Sequence, residues 1–320
     1  MTPETADPVE TRLREGAFLL IDKPRGPSSH QVTAWVRDLL AVPVAGHAGT
    51  LDPNVSGLLW VGVGPALKLI PLVLEFPKRY VASVVLHGPV PVAEVERVLG
   101  EFTGAIYQTP PVRSAVKRER RVRTVHRLTL VEAEGPRLLL DLTADSGTYV
   151  RVLAVDVGEA LGLGGHMEEL RRVATGPFRE ESSVPLSAVA DAVAARAAGD
   201  ASALLRLLHP IEEVWREFPA IVVKDGAASA IAHGAGLASG GILALPKPFA
   251  EGAQVTLLTR AGELLATGVA LHRSDELGHV KHGWVVDETR VFVDPARFPP
   301  LWQRSPHGAG ASRSAADGED

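Results

Sequence analysis

The apolar residues of this chain fall in short blocks whose period changes repeatedly, which predicts a mixture of strands and helices. Residues 18–21 and 58–63 are continuous apolar runs, as in buried strands. Residues 78–88 alternate and are rich in β-branched side chains, as in a strand with one exposed face. Residues 32–39 repeat their apolar positions at helical spacing, directly after a serine pair that can cap a helix.

The pattern changes again in the second half of the chain. Residues 128–144 predict a hairpin, residues 152–161 a helix, and residues 187–208 an Ala-rich helical stretch. Pro210 and Pro219 then bracket a domain boundary, and the short strands beyond it predict a small β barrel. The expected division is a disordered leader (1–15), a first domain (16–215), a second module (216–300) and a disordered tail (301–320).

Composition limits the classes of protein to which the chain can belong. Its 320 residues are 46% hydrophobic and 22% charged, as in ordinary folded proteins. No apolar run is long enough for a membrane span, and we expect a cytoplasmic protein. The absence of cysteine excludes disulfides, Cys-ligated zinc and thiol catalysis. A net charge of −5 argues mildly against a nucleic-acid-binding protein, although local clusters can override the sum.

One such cluster is the basic segment at residues 107–127, with seven Lys and Arg residues against one acidic residue. Apolar residues are interleaved with the charges, and the segment begins with an extended Pro-Pro pair. That pattern favours a groove that follows a phosphate backbone, although charge runs are more often solvated faces. The candidate RNA-binding residues here are Lys117, Arg118, Arg121 and Arg123.

The segment Gly46–Leu59 places one carboxylate, Asp52, in a turn rich in Gly and Pro, directly before a buried strand. Pro53 pushes Asp52 out of the α region, so the carboxylate is held on an extended or turn backbone. Many such aspartates only bond their own backbone. His47 and Thr50 add polar groups to the same loop, which favours a reactive site over a purely structural turn.

Three other residues could carry chemistry, each with a plainer alternative. Tyr80 begins a predicted strand and is either an edge aromatic or a phenol beside a substrate ring. Arg151 shares a face with Tyr149 if residues 146–151 are extended, and is either a surface cation or the partner of Asp52. Lys23 follows the first strand and either binds a phosphate or covers the strand end.

Six segments in a fixed order resemble the TruB family of RNA pseudouridine synthases. The resemblance covers roughly residues 16–300 and is closest to the archaeal branch that includes the dyskerin-like catalytic subunit of box H/ACA particles. The second module resembles a PUA domain, a small RNA-binding β barrel. One departure is Pro89, where the archaeal branch often has Asp. The matching segments are residues 16–30, 46–59, 78–80, 110–123, 146–151 and 166–172.

The resemblance implies an α+β fold with a mixed, mainly antiparallel sheet, flanking helices and an RNA cleft. It implies that Asp52 is the essential carboxylate, that Tyr80 stacks on the target base, and that Arg151 orients Asp52. No metal or other cofactor is implied. Further implied contacts are His47, Leu170 and Lys23 with the substrate, and His233 and Gly234 of the PUA-like module with RNA.

The implied reaction converts uridine to pseudouridine within RNA, which requires the base to be flipped out and held by stacking. Two substrates remain open: the T-loop uridine of tRNA, or rRNA uridines chosen by an H/ACA guide RNA with small partner proteins. A non-catalytic RNA-binding scaffold is an alternative, but it would not need Asp52, Tyr80 and Arg151 together. A carboxylate-dependent hydrolase would normally need a second carboxylate or a metal, and no convincing pair is present.

Overall fold

The computed structural model describes residues 7–110 and 119–299, and the chain divides into two compact units between Trp215 and Arg216. Each unit is built on its own β-sheet. Two of the candidate RNA-binding residues, Lys117 and Arg118, lie outside the described residues, as does the expected tail at 301–320.

The first unit combines ten strands with eight α-helices in its described residues. The strands are β1 (Ala17–Lys23), β2 (Ala45–Ala48), β3 (Ser56–Val63), β4 (Lys78–Leu86), β5 (Gly104–Gln108), β6 (Arg121–Glu134), β7 (Arg137–Ala144), β8 (Gly165–Thr175), β9 (Phe178–Arg179) and β10 (His209–Pro210). The helices are α1 (Pro8–Glu15), α2 (Ser29–Leu39), α3 (Ile70–Glu75), α4 (Val92–Glu101), α5 (Val150–Ala160), α6 (Leu186–Ala197), α7 (Ser202–Leu207) and α8 (Glu212–Trp215). Short 3₁₀ turns cover Gly64–Leu69 and Glu180–Ser182.

These strands form one sheet in the order β10-β1-β3-β8-β4-β7-β6-β5, with β2 paired to β3 and β9 to β8. Only the β3–β8 pair is parallel; the other pairs are antiparallel, so the predicted mixed, mainly antiparallel sheet is confirmed. On β8, Arg172 stands opposite Gly57 of β3 and Tyr80 of β4. The segment before β3 therefore reaches the same part of the sheet as Tyr80.

Two hydrophobic clusters fill the first unit. One lies around β1, β3, α2 and α6, and the other around β4, β6, β7, α4 and α5. Val61 and Leu140 are buried members of the first and second cluster respectively. Tyr80 and Leu170 pack against both clusters from a half-buried position. The junction of the two clusters therefore carries two of the predicted site residues.

Two local expectations are wrong. Residues 8–15 form α1 rather than a disordered leader, because Asp7 caps the helix and Val9 is fully buried. Arg151 lies in the first turn of α5 rather than on an extended segment.

The second unit holds one barrel-like mixed sheet of six strands in the order β12-β16-β15-β14-β11-β13. Its elements are β11 (Ala220–Val223), α9 (Asp225–Ala232), β12 (Leu237–Ala238), β13 (Ile242–Ala244), β14 (Gln254–Leu258), β15 (Leu264–Ala270) and β16 (Trp284–Val291). Short 3₁₀ turns cover Ser239–Gly241 and Pro295–Arg297. A separate core of buried aliphatic residues holds the sheet and α9 together. Across the described ranges, none of the helices has the length and hydropathy needed to cross a bilayer.

Candidate active site

A cleft of about 420 Å³ opens on the first unit, lined by the segment between β2 and β3, by β4 and β8, and by the turn before α5. Its volume falls within the roughly 300–1,000 Å³ of ligand sites in proteins. Asp52, Tyr80, Arg151 and Leu170, which are separated in sequence, all line this cleft.

Asp52 is the first residue of a tight turn in the cleft wall. The Val55 N–H donates to the Asp52 carbonyl at 2.9 Å, and Pro53 occupies the second position of that turn. The Asp52 Oδ2 atom lies 3.0 Å from Nη1 of Arg151, and both side chains are partly exposed, at 49% and 35%. The structure therefore brings the predicted pair together, although α5 rather than an extended segment presents Arg151.

Tyr80 and Leu170 form an apolar wall beside this ion pair. They lie on the adjacent strands β4 and β8, where Ala82 pairs with Leu170 and Tyr80 pairs with Arg172. Met167 extends the same wall along β8. The cleft thus offers a half-buried aromatic ring and aliphatic side chains next to one carboxylate.

The segment that leads into α2 anchors the Asp52 turn through hydrogen bonds. The fully buried Ser29 hydroxyl donates to the Leu51 carbonyl at 2.9 Å and accepts from the Leu51 N–H at 2.8 Å. The Gly26 N–H donates to the Pro53 carbonyl at 2.8 Å. The residues on both sides of Asp52 are therefore fixed to the segment that begins α2.

Lys23 belongs to this anchor and is not exposed to a ligand. Its side chain is fully buried, and Nζ donates to the carbonyls of Pro24 and Pro27 at 2.8 and 2.9 Å and approaches that of Pro53 at 3.5 Å. Burial lowers the pKa of this ammonium group, with the Arg172 charge acting in the same direction. The expectation that Lys23 contacts the substrate is therefore wrong, because its donors are taken up by backbone carbonyls.

His47 braces the other side of the Asp52 turn. The Thr33 hydroxyl donates to the Ser29 carbonyl, so it accepts from His47 Nδ1 at 3.1 Å, and His47 Nε2 lies 3.3 Å from the Thr50 hydroxyl. Burial, with smaller contributions from His30 and Arg172, lowers the pKa of His47 to about 4. The imidazole is therefore neutral at pH 7, and its contacts hold the loop.

Two buried cations behind the turn were not predicted. Arg172 is 1% exposed and donates from Nε to the Leu58 carbonyl at 2.8 Å and from Nη2 to the Gly49 carbonyl at 2.9 Å. Lys78 is 2% exposed, and its Nζ donates to three carbonyls at the end of α3. Burial lowers the pKa of Lys78 to about 7, with Arg172 contributing and Glu75 opposing.

Two predicted basic residues lie on a smaller pocket at the rim of the cleft. Arg121 and Arg123 on β6 line this pocket of about 60 Å³, which shares Gly147 and Tyr149 with the main cleft. Gln108 fixes its floor by exchanging two hydrogen bonds with the Tyr149 backbone, at 2.9 and 3.1 Å. Two guanidinium groups therefore face a recess next to the Asp52 cleft.

The remaining predicted contacts lie in the second unit. His233 and Gly234 are exposed at the end of α9, and the His233 Nδ1 atom lies 2.9 Å from the Ser229 carbonyl. Gly234 has a φ of +92° and open space where a Cβ would lie. Within the described ranges, no group of three or more His, Asp or Glu side chains is arranged to hold a metal ion.

Comparison with known families finds matches to three segments of the chain. The model of the TruB family pseudouridylate synthase N-terminal domain matches residues 37–91, which contain Asp52 and Tyr80. The tRNA pseudouridylate synthase B C-terminal domain matches residues 151–215, and the PUA domain matches residues 219–292. A probable tRNA pseudouridine synthase B of Methanothermobacter thermautotrophicus is 42% identical over 302 residues, covering 94% of this chain and 93% of that protein.

The chain belongs to the TruB family of pseudouridine synthases. It is therefore an enzyme of the class that isomerises uridine in RNA. The crystal structure of a Cbf5-Nop10-Gar1 complex matches with a TM-score of 0.84 and 39% identity, over 92% of this chain and 90% of that one. An H/ACA RNP bound to a substrate RNA containing 2'-deoxyuridine matches with a TM-score of 0.80 and 36% identity, over 92% and 90%. These matches confirm the expected fold.

Proposed function

We propose that this TruB-family enzyme isomerises a uridine that is flipped into the cleft, with Asp52 as the catalytic carboxylate. The observation that carries the proposal is the Asp52–Arg151 ion pair, 3.0 Å long, on the wall of a cleft that also contains Tyr80. No other described carboxylate lines this cleft.

The proposed reaction requires one anionic group beside the target nucleotide. The C1′–N1 bond breaks, the uracil turns within the cleft and a C1′–C5 bond forms. The C5 proton leaves to a base and N1 takes up a proton, so the net change is an isomerisation. A carboxylate can assist as a nucleophile or as a base. Arg151 places a positive charge beside the Asp52 carboxylate and fixes its orientation through their 3.0 Å ion pair.

The apolar wall is suited to hold the base during this sequence. Tyr80 offers an aromatic face for stacking, and Leu170 and Met167 exclude water on the adjacent strand. A stacking contact does not depend on which edge the base presents. The wall can therefore retain the uracil both before and after it turns.

The basic rim supports a path for the RNA backbone. Arg121 and Arg123 face a recess that shares Gly147 and Tyr149 with the cleft, so they can contact the RNA backbone beside the flipped nucleotide. Lys117 and Arg118, and separately the exposed His233 and Gly234 of the second unit, are further proposed RNA contacts. Each phosphate contact would add affinity that falls with rising salt.

Two substrates are compatible with this site. The relatives named tRNA pseudouridine synthase B support the T-loop uridine of tRNA. The likeness to Cbf5 complexes, one of them with substrate RNA, supports guide-selected uridines in rRNA, with a guide RNA and small proteins of the Nop10 and Gar1 type as partners. We propose a cytoplasmic enzyme for either substrate.

The test measures pseudouridine in an unmodified tRNA transcript, using purified protein with and without guide RNA and partner proteins. Asp52→Asn is compared with Asp22→Asn, whose carboxylate forms an ion pair with Arg171 at the same 3.0 Å but outside the cleft. We expect Asp52→Asn to abolish product while RNA binding stays within about threefold, and Asp22→Asn to remain active. Near wild-type turnover by Asp52→Asn would remove Asp52 from the mechanism.

The same assay separates the possible substrates. Product with protein alone identifies a tRNA enzyme, whereas product only with guide and partners identifies a guided catalytic subunit. Binding of RNA without product in either case would favour the scaffold alternative.

A further inference from the structure

We infer that Arg172 is a positioning residue that fixes the position of the Asp52 loop relative to the Tyr80 phenol. The inference rests on the proposed roles of Asp52 and Tyr80. Arg172 forms no ion pair with the Asp52 carboxylate. It acts through hydrogen bonds to the two ends of the loop that carries Asp52 and through its position opposite Tyr80 on the adjacent strand.

The two backbone contacts bracket the loop. Nη2 of Arg172 donates to the Gly49 carbonyl, three residues before Asp52, and Nε donates to the Leu58 carbonyl, six residues after it. Arg172 also stands opposite Tyr80 across the β4–β8 pair, and the Tyr80 phenol opposes the lowering of the guanidinium pKa by burial. One planar group thus connects the entry of the loop, its exit and the neighbouring aromatic residue.

Arg172 carries its charge in an unusual environment. The side chain is 1% exposed, and no described carboxylate forms an ion pair with it. Burial lowers the pKa of its guanidinium, and the Tyr80 phenol opposes that change. A buried charge is tolerated only where its donors are satisfied. If the two carbonyls and the phenol moved away, the desolvated guanidinium would lose the groups that stabilise it, so these groups are held in place.

The loop itself is shaped to fit this side chain. A Cβ at Gly49 would lie 3.1 Å from Nη1 of Arg172, and Gly49 has a φ of +76°. A Cβ at Gly57 would lie 2.2 Å from the Arg172 carbonyl oxygen, a distance that no side chain can accept. Both glycines therefore permit the loop to close on Arg172 from its two ends.

A lysine cannot reproduce this arrangement. Lysine offers a point charge on a flexible stem, whereas the guanidinium presents several donors in fixed directions. Arg172→Lys should therefore keep the buried charge and lose at least one of the three contacts. Because misplacement of a catalytic group by about 1 Å can lower the rate by about 10²-fold, the expected effect is on turnover rather than on RNA binding.

The experiment compares Arg172→Lys with Arg171→Lys, a change on the neighbouring residue whose ion pairs lie outside the cleft. Single-turnover rate at saturating RNA and the Kd for RNA are measured with the full chain, together with thermal unfolding. We expect Arg172→Lys to lower the rate by about 30-fold with Kd within threefold, and Arg171→Lys to stay within twofold. A wild-type rate for Arg172→Lys would overturn the inference.

Two further variants make the test specific. Gly49→Ala leaves the guanidinium in place but presses a methyl group against it, and should also lower the rate at unchanged Kd. In a Tyr80→Phe background, which removes the phenol oxygen, Arg172→Lys should lower the rate at least threefold less than in wild type. Fully multiplicative losses would contradict the link to Tyr80.

Failure of the inference is distinct from failure of the proposed function. If Asp52→Asn turns over as fast as wild type, the proposed function fails whatever Arg172 does. If Asp52→Asn is inactive and Arg172→Lys is fully active, only the role of Arg172 is lost.

Discussion

Basic residues serve opposite purposes on the two sides of the Asp52 loop. We call the buried residues Lys23, Lys78 and Arg172 behind the loop the buried wall, and Arg121 and Arg123 beside the cleft the open rim. In the wall, Lys23, Lys78 and Arg172 are at most 2% exposed and donate to backbone carbonyls. On the rim, Arg121 and Arg123 face a recess, and neither forms an ion pair with a carboxylate of the described residues.

Burial therefore decides whether a cation stabilises the backbone around it or remains available to bind RNA. A buried ammonium or guanidinium group that has satisfied its donors on carbonyls is costly to disturb, so it fixes the backbone around it. An exposed one keeps its donors available and contributes to RNA affinity through phosphate contacts. Arg151 stands between these cases, since it is partly exposed and paired with Asp52.

The largest effect in this comparison should come from Arg151→Met. Loss of a hydrogen bond to a charged group is worth about 1.5–3 kcal/mol, which corresponds to roughly a 10- to 100-fold lower turnover. The measurement is single-turnover pseudouridine formation at saturating RNA. Arg171→Met is the matched control, because it removes an ion pair of the same 3.0 Å length outside the cleft. Equal losses in both variants would show that Arg151 has no special role.

Lys23→Met tests whether the wall positions the loop. The change removes the donor shared by the Pro24 and Pro27 carbonyls, so we expect unfolding to become easier by about 1 kcal/mol. Turnover should fall about tenfold at unchanged Kd, because the Pro53 end of the turn loosens. Lys224→Met, which removes an exposed lysine bonded to the Gly240 carbonyl, should leave both quantities near wild type. Weaker RNA binding as the main defect of Lys23→Met would restore Lys23 as a substrate contact.

The variants Arg121→Ala and Arg123→Ala test whether the rim contributes to RNA affinity rather than to stability and turnover. Each should weaken RNA binding about three- to tenfold and reduce the salt dependence of binding by about one phosphate contact, with stability unchanged. Turnover at saturating RNA should stay within twofold. A fall in turnover without any change in Kd would assign these residues to the wall rather than to the rim.

The sequence predicted the parts of this site that rest on local pattern. The strand before Lys23, the turn at Asp52 and the strand that begins at Tyr80 all follow from periodicity and from Gly and Pro positions. The partnership of Asp52 and Arg151 was expected only from the resemblance to the TruB family, because residues so far apart in sequence carry no local signal that they meet. The local features depend on neighbours in sequence, or on residue types with one dominant chemistry.

The wall could not be predicted, because residue type does not reveal burial. Lysine and arginine are almost always exposed, so Lys23 was expected at a substrate and Arg172 was not singled out. Their burial depends on β3, β8 and β4 being neighbours in the sheet. The helix α1 was missed for a similar reason, since a polar segment buries a single residue, Val9, against distant parts of the chain.

Substitution of His47 should have the smallest effect on turnover and a clear effect on stability, because His47 braces the loop without lining the cleft. Its pKa is lowered to about 4 in the folded protein, mainly by burial, against an ordinary value of 6.5. Between those values the unfolded chain binds a proton that the folded chain does not, so stability falls as pH drops from about 6.5 to about 4.

His47→Gln separates this titration from the hydrogen bonds, because an amide can donate to Thr33 and accept from Thr50 as the neutral ring does. In urea denaturation, we expect wild type to lose about 1–2 kcal/mol more than His47→Gln between pH 8 and pH 5. Turnover at pH 8 should stay within about threefold of wild type. Identical pH dependence in the two proteins would show that folding does not lower the pKa of His47, which would contradict the burial of the ring against the loop.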